Sequence, residues 1–447
     1  MNTASRMPTL ASITSKVADG ARLGDDDALF LLRCPDITAI GRLADRVRQR
    51  FHPPGGGIES APRPAGAAGA RGSVGAHAAR PAGAAPQRAS HAAEGAPSRG
   101  EVSYIVDRNI NYTNVCVTLC KFCAFYRRPG DPEGYDHPIE VILQKIRETK
   151  ALGGVQILLQ GGHNPDYGIE RYEELLRAIK QHEPIHIHGL SPSEILHCGH
   201  VSKLPLETIV ARLRAAGLDS MPGGGGEILV DRVRKVISPL KTMSDDWLNV
   251  HRVCHRQGLR TTATMMFGHV ETDAERIEHL RRVRQLQDET AGFTAFISWT
   301  FQAPHTDMAA VPMVGGFDYL RTAAVSRLYI DNIESFQASF VTQGIDLAAV
   351  SLHYGMNDMG SVMIEENVVS AANCECLATI EVLEGQIRAA GFTPARRNMF
   401  YDRVDGTGRV LRRHHDAAWA ASNAARGGDT RPAAIEAQFA ELAAARG

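Results

Sequence analysis

Three cysteines fall within eight residues, as Cys116-x3-Cys120-x2-Cys123. Three thiolates on one short loop can each ligate one iron of a cubane cluster, which leaves the fourth iron without a protein ligand and open to a substrate or cofactor. A structural zinc site would want a fourth ligand and usually paired C-x2-C units. Three unligated thiols on an exposed loop would be an oxidation liability. Of the remaining cysteines, Cys34, Cys198 and Cys254 read as thiols or metal ligands, and the pair Cys374 and Cys376 as packed thiols in preference to a second metal site. With no secretion signal in the first thirty residues, a disulfide framework is not expected.

Other residues of chemical type cluster nearby. Leu158-Leu-Gln160-Gly161-Gly162-His163 ends an apolar run, and glycines there let a ligand approach the backbone. His186 and His188 share one strand face, either lining a lumen or as satisfied core residues. Ser191 and Glu194 lie just beyond that strand, where they either hold a ribose hydroxyl or act as the cap and first-turn acid of the next helix. The Gly223–Gly226 turn is no P-loop, because no Gly-Lys-Ser/Thr follows. Glu227, next in the chain, is either a polar group in a cavity or an acid at a helix N-terminus.

These residues need elements to position them. Apolar runs at 102–110, 155–159, 185–188, 218–221, 261–267 and 293–299 read as strands. Helical periodicity falls between them at 138–152, 169–181, 206–216, 246–256 and 274–289. Strand–helix alternation of this kind predicts an α/β fold, a partial or complete (β/α) barrel, with the cysteine loop at the carboxyl end of its first strand, where barrel active sites gather. The chain divides into an N-terminal helical segment (1–52), an insertion (53–100), a barrel core (101–300), a barrel-completing region (301–410) and an Ala/Arg-rich tail (411–447) that ends in a surface helix. Of the 48 residues in 53–100, 32 are Ala, Gly or Pro, too few apolar side chains to offset the ordering entropy, so a disordered spacer is expected.

The chain has 447 residues, 44% of them hydrophobic and 22% charged, with a formal net charge of −1. That composition allows a sizeable core and argues against nucleic-acid binding through overall positive charge. No stretch is long and apolar enough to span a bilayer, so a cytoplasmic protein without membrane or nucleic-acid partners is expected.

The cysteine spacing, with Phe122 before the last cysteine, resembles the radical S-adenosylmethionine (SAM) superfamily. The resemblance implies one [4Fe-4S] cluster held by Cys116, Cys120 and Cys123, with SAM on the open iron. It places Gly161 and Gly162 at the SAM amino group and Phe122 at the motif's aromatic position in the cofactor site; Ser191 and Glu194, from their place beyond the strand, are the further cofactor-site candidates. The strings Asp107-Arg-Asn-Ile-Asn-Tyr-Thr-Asn, His186-Ile-His-Gly-Leu-Ser-Pro-Ser-Glu-Ile and Thr261-Thr-Ala-Thr-Met-Met-Phe-Gly-His look like the cyclic dehypoxanthinyl futalosine synthase family of the futalosine route to menaquinone. One departure is Gly226, where that family's string carries alanine; glycine should loosen the turn. The implied chemistry is hydrogen abstraction from the sugar of a nucleoside-derived substrate, ring closure, and loss of one electron and one proton, with an external one-electron donor. The proton needs a base within hydrogen-bond reach; the candidates are His163, Glu194 and Glu227, with Glu227 favoured. Aminofutalosine synthase and deazaflavin-forming synthases share similar strings. A non-catalytic iron–sulfur sensor is the alternative of another class, and Phe122, the glycine turns and a full barrel favour an enzyme.

Overall fold

A computed structural model describes residues 7–54, 98–374 and 377–425. Most of the 53–100 insertion, the end of the tail and Cys376 lie outside the described residues.

Ten strands form one sheet: β1 (Glu101–Ile105), β2 (Asp107–Asn111), β3 (Gln156–Gln160), β4 (His186–Gly189), β5 (Ser220–Met221), β6 (Arg260–Phe267), β7 (Phe293–Thr300), β8 (Ser335–Gln337), β9 (Asp358–Ser361) and β10 (Thr393–Arg396). The order is β10-β1-β9-β8-β7-β6-β5-β4-β3-β2, and its pairings are parallel. The sheet curls until the segment that follows β9 reaches β2. Beyond β9, Ile364 N donates to Asp107 O (3.2 Å) and Asn109 N donates to Glu365 O (3.3 Å), which ties that segment to β2. The run expected as a single strand over 102–110 is divided at Val106. Its first half pairs with β10 and its second with β3, and Val106 O accepts from Val155 N where the neighbour changes.

The strand period of two sorts side chains between two environments. On β3, Ile157 and Leu159 are fully buried among Ile146, Leu176 and Ile179 of the surrounding helices. Gln156, Leu158 and Gln160 face the lumen. Each aliphatic side chain so buried contributes about 1.5–3 kcal/mol, which fixes the register of the polar face with it.

The helices expected from periodicity are Ile139–Ala151, Ile169–His182, Leu206–Ala216, Ser244–Arg256 and Asp273–Thr290. Gly217 ends the third of these at φ +118°, a left-handed conformation that glycine adopts without steric cost. The N-terminal segment holds three helices, Leu10–Ala18, Asp25–Arg33 and Ile37–Phe51; Pro192–Ser202, the helix that Ser191 and Glu194 begin, follows β4, and the structure adds Asp231–Ile237 between β5 and β6. In the tail, Ala417–Ala425 is helical and docks through buried Trp419, over whose ring the Arg260 guanidinium lies at 5.1 Å. Among the described residues, no helix is long and apolar enough to cross a membrane.

Candidate active site at the carboxyl end of the barrel

A cavity of about 450 Å³ runs from the loops beyond the strand ends down into the barrel. Cys116, Cys120, Cys123, Phe122, Gly161, Gly162, Ser191, Glu194 and Glu227 all line it. Residues up to 111 positions apart in sequence therefore share one wall, because each follows the carboxyl end of a parallel strand.

The cysteine loop leaves β2 and is held at both ends. Thr113 Oγ1 donates to Tyr135 O (2.7 Å), and Cys116 N donates to Arg127 O (2.8 Å). Its far side is anchored by Lys121 N, which donates to Ile237 O (2.8 Å). The Thr118 hydroxyl lies 3.0 Å from Cys116 Sγ and 3.5 Å from Cys120 Sγ, so two sulfurs gather around one polar group. Burial pushes the Cys120 thiol up to about 11 and raises Cys123 as well, with Lys241 opposing the shift in both. Such thiols stay protonated until a metal replaces the proton. No three His, Cys, Asp or Glu side chains among the described residues close on a single ion. Three cavity-facing thiols on one loop instead fit a cubane, which takes each sulfur at a separate corner.

Gly162 is a packing requirement of this loop. A Cβ there would lie 2.2 Å from Val115 O and 3.0 Å from Cys116 Cβ. At Gly161 a Cβ would meet the Tyr112 ring at 2.6 Å, and Gly161 N donates to Glu194 Oε1 (3.0 Å). The same carboxylate oxygen accepts from Tyr112 OH (2.6 Å), while Oε2 accepts from Ser191 N (2.7 Å). Ser191 Oγ accepts from Glu194 N (3.3 Å), which completes a capping box at the start of Pro192–Ser202. Glu194 is thus both a helix cap and a strut between β2, β3 and β4, with its carboxyl raised by burial.

Glu227 has φ +25° and is buried. It is not at a helix N-terminus, since the next helix starts at Asp231. Its carboxylate pairs with Lys241 (3.0 Å) and Arg234 (3.3 Å). Burial alone would raise its pKa, but Lys241 and Arg234 outweigh burial and hold it below the usual carboxylate range. Lys241 also stands over the Phe122 ring at 5.3 Å. Lys241 lines the cavity and escaped the sequence reading, because nothing in Ser238-Pro-Leu-Lys-Thr marks it as more than a loop cation. Gly226 packs tightly in place of the looser turn expected: a Cβ would lie 2.5 Å from Thr264 O.

Of the two histidines on β4, His188 lines the cavity while His186 packs edge-on against Phe400 (5.3 Å). Both rings bond one hydroxyl, that of Ser220, at 2.8 Å. His163, another cavity residue, stacks on His197 (5.1 Å), and burial keeps its imidazole neutral.

Residues 110–283 match the radical SAM superfamily, and residues 290–409 match the CofH/MqnC C-terminal region. Cyclic dehypoxanthine futalosine synthase of Halalkalibacterium halodurans is 48% identical over 88% of this chain and 95% of its own length. The synthase of the same description from Streptomyces coelicolor is 41% identical over 88% of this chain and 89% of its own. The crystal structure of methylornithine synthase superposes with a TM-score of 0.61 at 17% identity, over 86% of this chain and 97% of that one, a likeness of fold. Superfamily members use a [4Fe-4S] cluster and SAM, and the cysteine loop and glycine turn around this cavity suit that pair. The chain belongs to the radical SAM superfamily and, within it, to the family of the cyclic dehypoxanthine futalosine synthases.

Proposed function

We propose that this chain closes the ring of dehypoxanthine futalosine to give cyclic dehypoxanthinyl futalosine, a step of menaquinone synthesis. The observation that carries the reading is the convergence of the three-cysteine loop, the Gly161–Gly162 turn and Glu227 on one cavity in a chain of this kinship. When bound, the reduced cluster and SAM supply a 5′-deoxyadenosyl radical that takes a hydrogen atom from the substrate's sugar.

Cys116, Cys120 and Cys123 hold the cluster. Phe122, Gly161, Gly162, Ser191 and Glu194 shape the SAM site; Gly161 and Gly162 keep the backbone close to the cysteine loop, and Glu194 locks three strand ends together. Glu227 accepts the proton released after ring closure. Lys241 and Arg234 keep it ionised and only weakly basic, which suffices for the acidic sp3 carbon of an oxidised aromatic ring. The enclosing walls exclude water from the reacting centre. An external one-electron carrier would supply the electron for SAM cleavage, and its oxidised form would take up the electron lost after ring closure. The near-neutral charge supports a small-molecule enzyme without nucleic-acid partners, and we place it in the cytoplasm.

The test is anaerobic reconstitution of the cluster, then SAM, reductant and dehypoxanthine futalosine, with products identified by mass spectrometry. The cyclic product, methionine and 5′-deoxyadenosine are expected. About four irons per chain are expected from a single cubane, and about eight would overturn it. Cys116→Ala, Cys120→Ala or Cys123→Ala should abolish SAM cleavage. Turnover of a different substrate would assign the chain to aminofutalosine or deazaflavin chemistry, and no SAM cleavage by the reduced protein would assign it to a sensor.

A further inference from the structure

The lower end of the cavity is polar, and the chemistry assigned so far leaves it unused. Asp107, Gln156, His188, Ser361 and Arg397 line it. Gln156 and His188 are diagonal neighbours on adjacent strands, since Gln156 pairs in register with His186 and His188 with Leu158.

Each of these two carries a polar atom that no described residue uses: His188 Nε2 is open to the cavity, and Gln156 Oε1 lies just beneath its surface. Gln156 is 3% exposed; its Nε2 donates to Asp107 Oδ2 (2.6 Å), and its Oε1 is buried without a hydrogen-bond partner. Burying an amide oxygen unpaired is costly, so such an atom calls for a donor. His188 is 6% exposed. Ser220 fixes its Nδ1 from the far side, which orients the ring and leaves Nε2, bonded to none of the described residues, towards the cavity. Burial lowers both His186 and His188, so neither ring brings a charge.

Charge decides which end of a substrate fits here. The single guanidinium of this region is already committed: Arg397 Nη2 donates to Asp358 Oδ1 (2.9 Å), and Nη1 donates to Asn398 O (3.2 Å). Asp107 accepts from Gln156 and Ser361 and has no cation paired to it. A region with an unpaired amide oxygen, an imidazole nitrogen whose role its tautomer sets, a second carboxylate and no spare cation disfavours a benzoate carboxylate and favours hydroxyls, which can both donate and accept.

We propose that His188 Nε2, together with Gln156 Oε1 once its amide turns to the ligand, forms the subsite that binds the sugar hydroxyls of the substrate and sets which sugar hydrogen faces the cofactor. This rests on the function proposed above. Ser220 is a positioning residue that holds His188 in place.

The experiment uses the cluster-loaded protein, its His188→Leu, His188→Gln and Gln156→Met variants, and substrate deuterated in the sugar. Two analogues accompany it: one with the anomeric hydroxyl replaced by hydrogen, and one with the benzoate carboxylate replaced by an amide. Iron content and substrate-independent SAM cleavage near wild-type levels show that each variant is folded. His188→Leu and Gln156→Met should raise KM for the substrate by roughly tenfold or more. They should cut deuterium transfer into 5′-deoxyadenosine in proportion to product. Both should also lose the wild-type preference for the hydroxylated substrate over its deoxy analogue, whereas His188→Gln, which keeps a polar atom near the Nε2 position, should retain part of it. Preference for the carboxylate over the amide should be the same in all variants. If the variants instead lose the carboxylate preference, or keep the hydroxyl preference intact, the subsite is overturned. If the wild type makes no cyclic product, the proposed function falls, which is a different result from product formation with unchanged discrimination.

Discussion

Glu227 draws its chemistry from two neighbours that follow it in sequence. Lys241 and Arg234 pair with the carboxylate and pull its pKa down against the effect of burial. A carboxyl depressed in the folded state adds stability that is present above the unfolded value of about 4.3 and is lost as pH falls through the folded value. The charge therefore persists into mildly acid solution, and acid inactivation through this group sets in only below the ordinary glutamate range. Glu227→Gln keeps the shape and removes the basic group. Product yield should fall on the order of a hundredfold, the scale of a lost general base, while SAM cleavage and deuterium transfer from substrate continue. Because the change also leaves two buried cations with less compensation, iron content is the control for folding. Unchanged yield at unchanged iron would remove Glu227 from the proton-accepting role.

Among the elements, the turn after β3 bears directly on the cluster loop. Gly162 lies against Val115 O and Cys116 Cβ, so an added methyl has no free space on the side where the first cysteine sits. Gly162→Ala should push the loop outward and cost about 1–3 kcal/mol, as overpacking does. The signature is a loss of reconstituted iron and of SAM cleavage together, with the far-ultraviolet circular dichroism of the barrel preserved. Full iron retention would show that the loop adapts. The family resemblance placed Gly161 and Gly162 in the cofactor site; the structure gives them a further reason to be glycine, namely the Tyr112 ring and the loop backbone. A similar double duty holds for Ser191 and Glu194, for which the sequence left ligand binding and helix capping open. The capping box forms, and the carboxylate also reaches Tyr112 and Gly161, just past the ends of β2 and β3.

At the level of the whole molecule, the low-complexity stretch leaves and rejoins the fold at neighbouring points. Arg48 Nη2 donates to Arg99 O (3.3 Å), Arg99 pairs with Asp45 (2.9 Å), and Thr393 N donates to Gly100 O (3.0 Å). Residues 98–100 therefore dock on the N-terminal helix Ile37–Phe51 and on β10. A Cβ on Gly100 would be 3.2 Å from Pro53 O, so the two ends lie side by side. Replacing 55–97 with a short Gly/Ser linker should change turnover less than twofold and the melting temperature by no more than about 2 °C, since loop-closure entropy varies slowly with length. A large loss of either would assign the segment a role in folding or catalysis.

The sequence alone pointed to a cluster site on the cysteine loop, because C-x3-C-x2-C is a local pattern of ligand number and spacing. It also determined most of the barrel, because strands buried on both faces and amphipathic helices write their periods directly into the chain. Short elements escaped it: Asp231–Ile237 has too few turns to show a period, and β9, Asp358-Met-Gly-Ser, carries no apolar run. Only the tertiary structure decided which polar residues meet. Lys241 joins Glu227, Arg397 joins Asp358, and Gln156 joins Asp107 across separations of 14, 39 and 49 residues. No local pattern encodes such pairs. The curl of the sheet brings them together, and burial then sets their charge states, since a carboxylate in a closed barrel depends on which cation the fold has placed beside it.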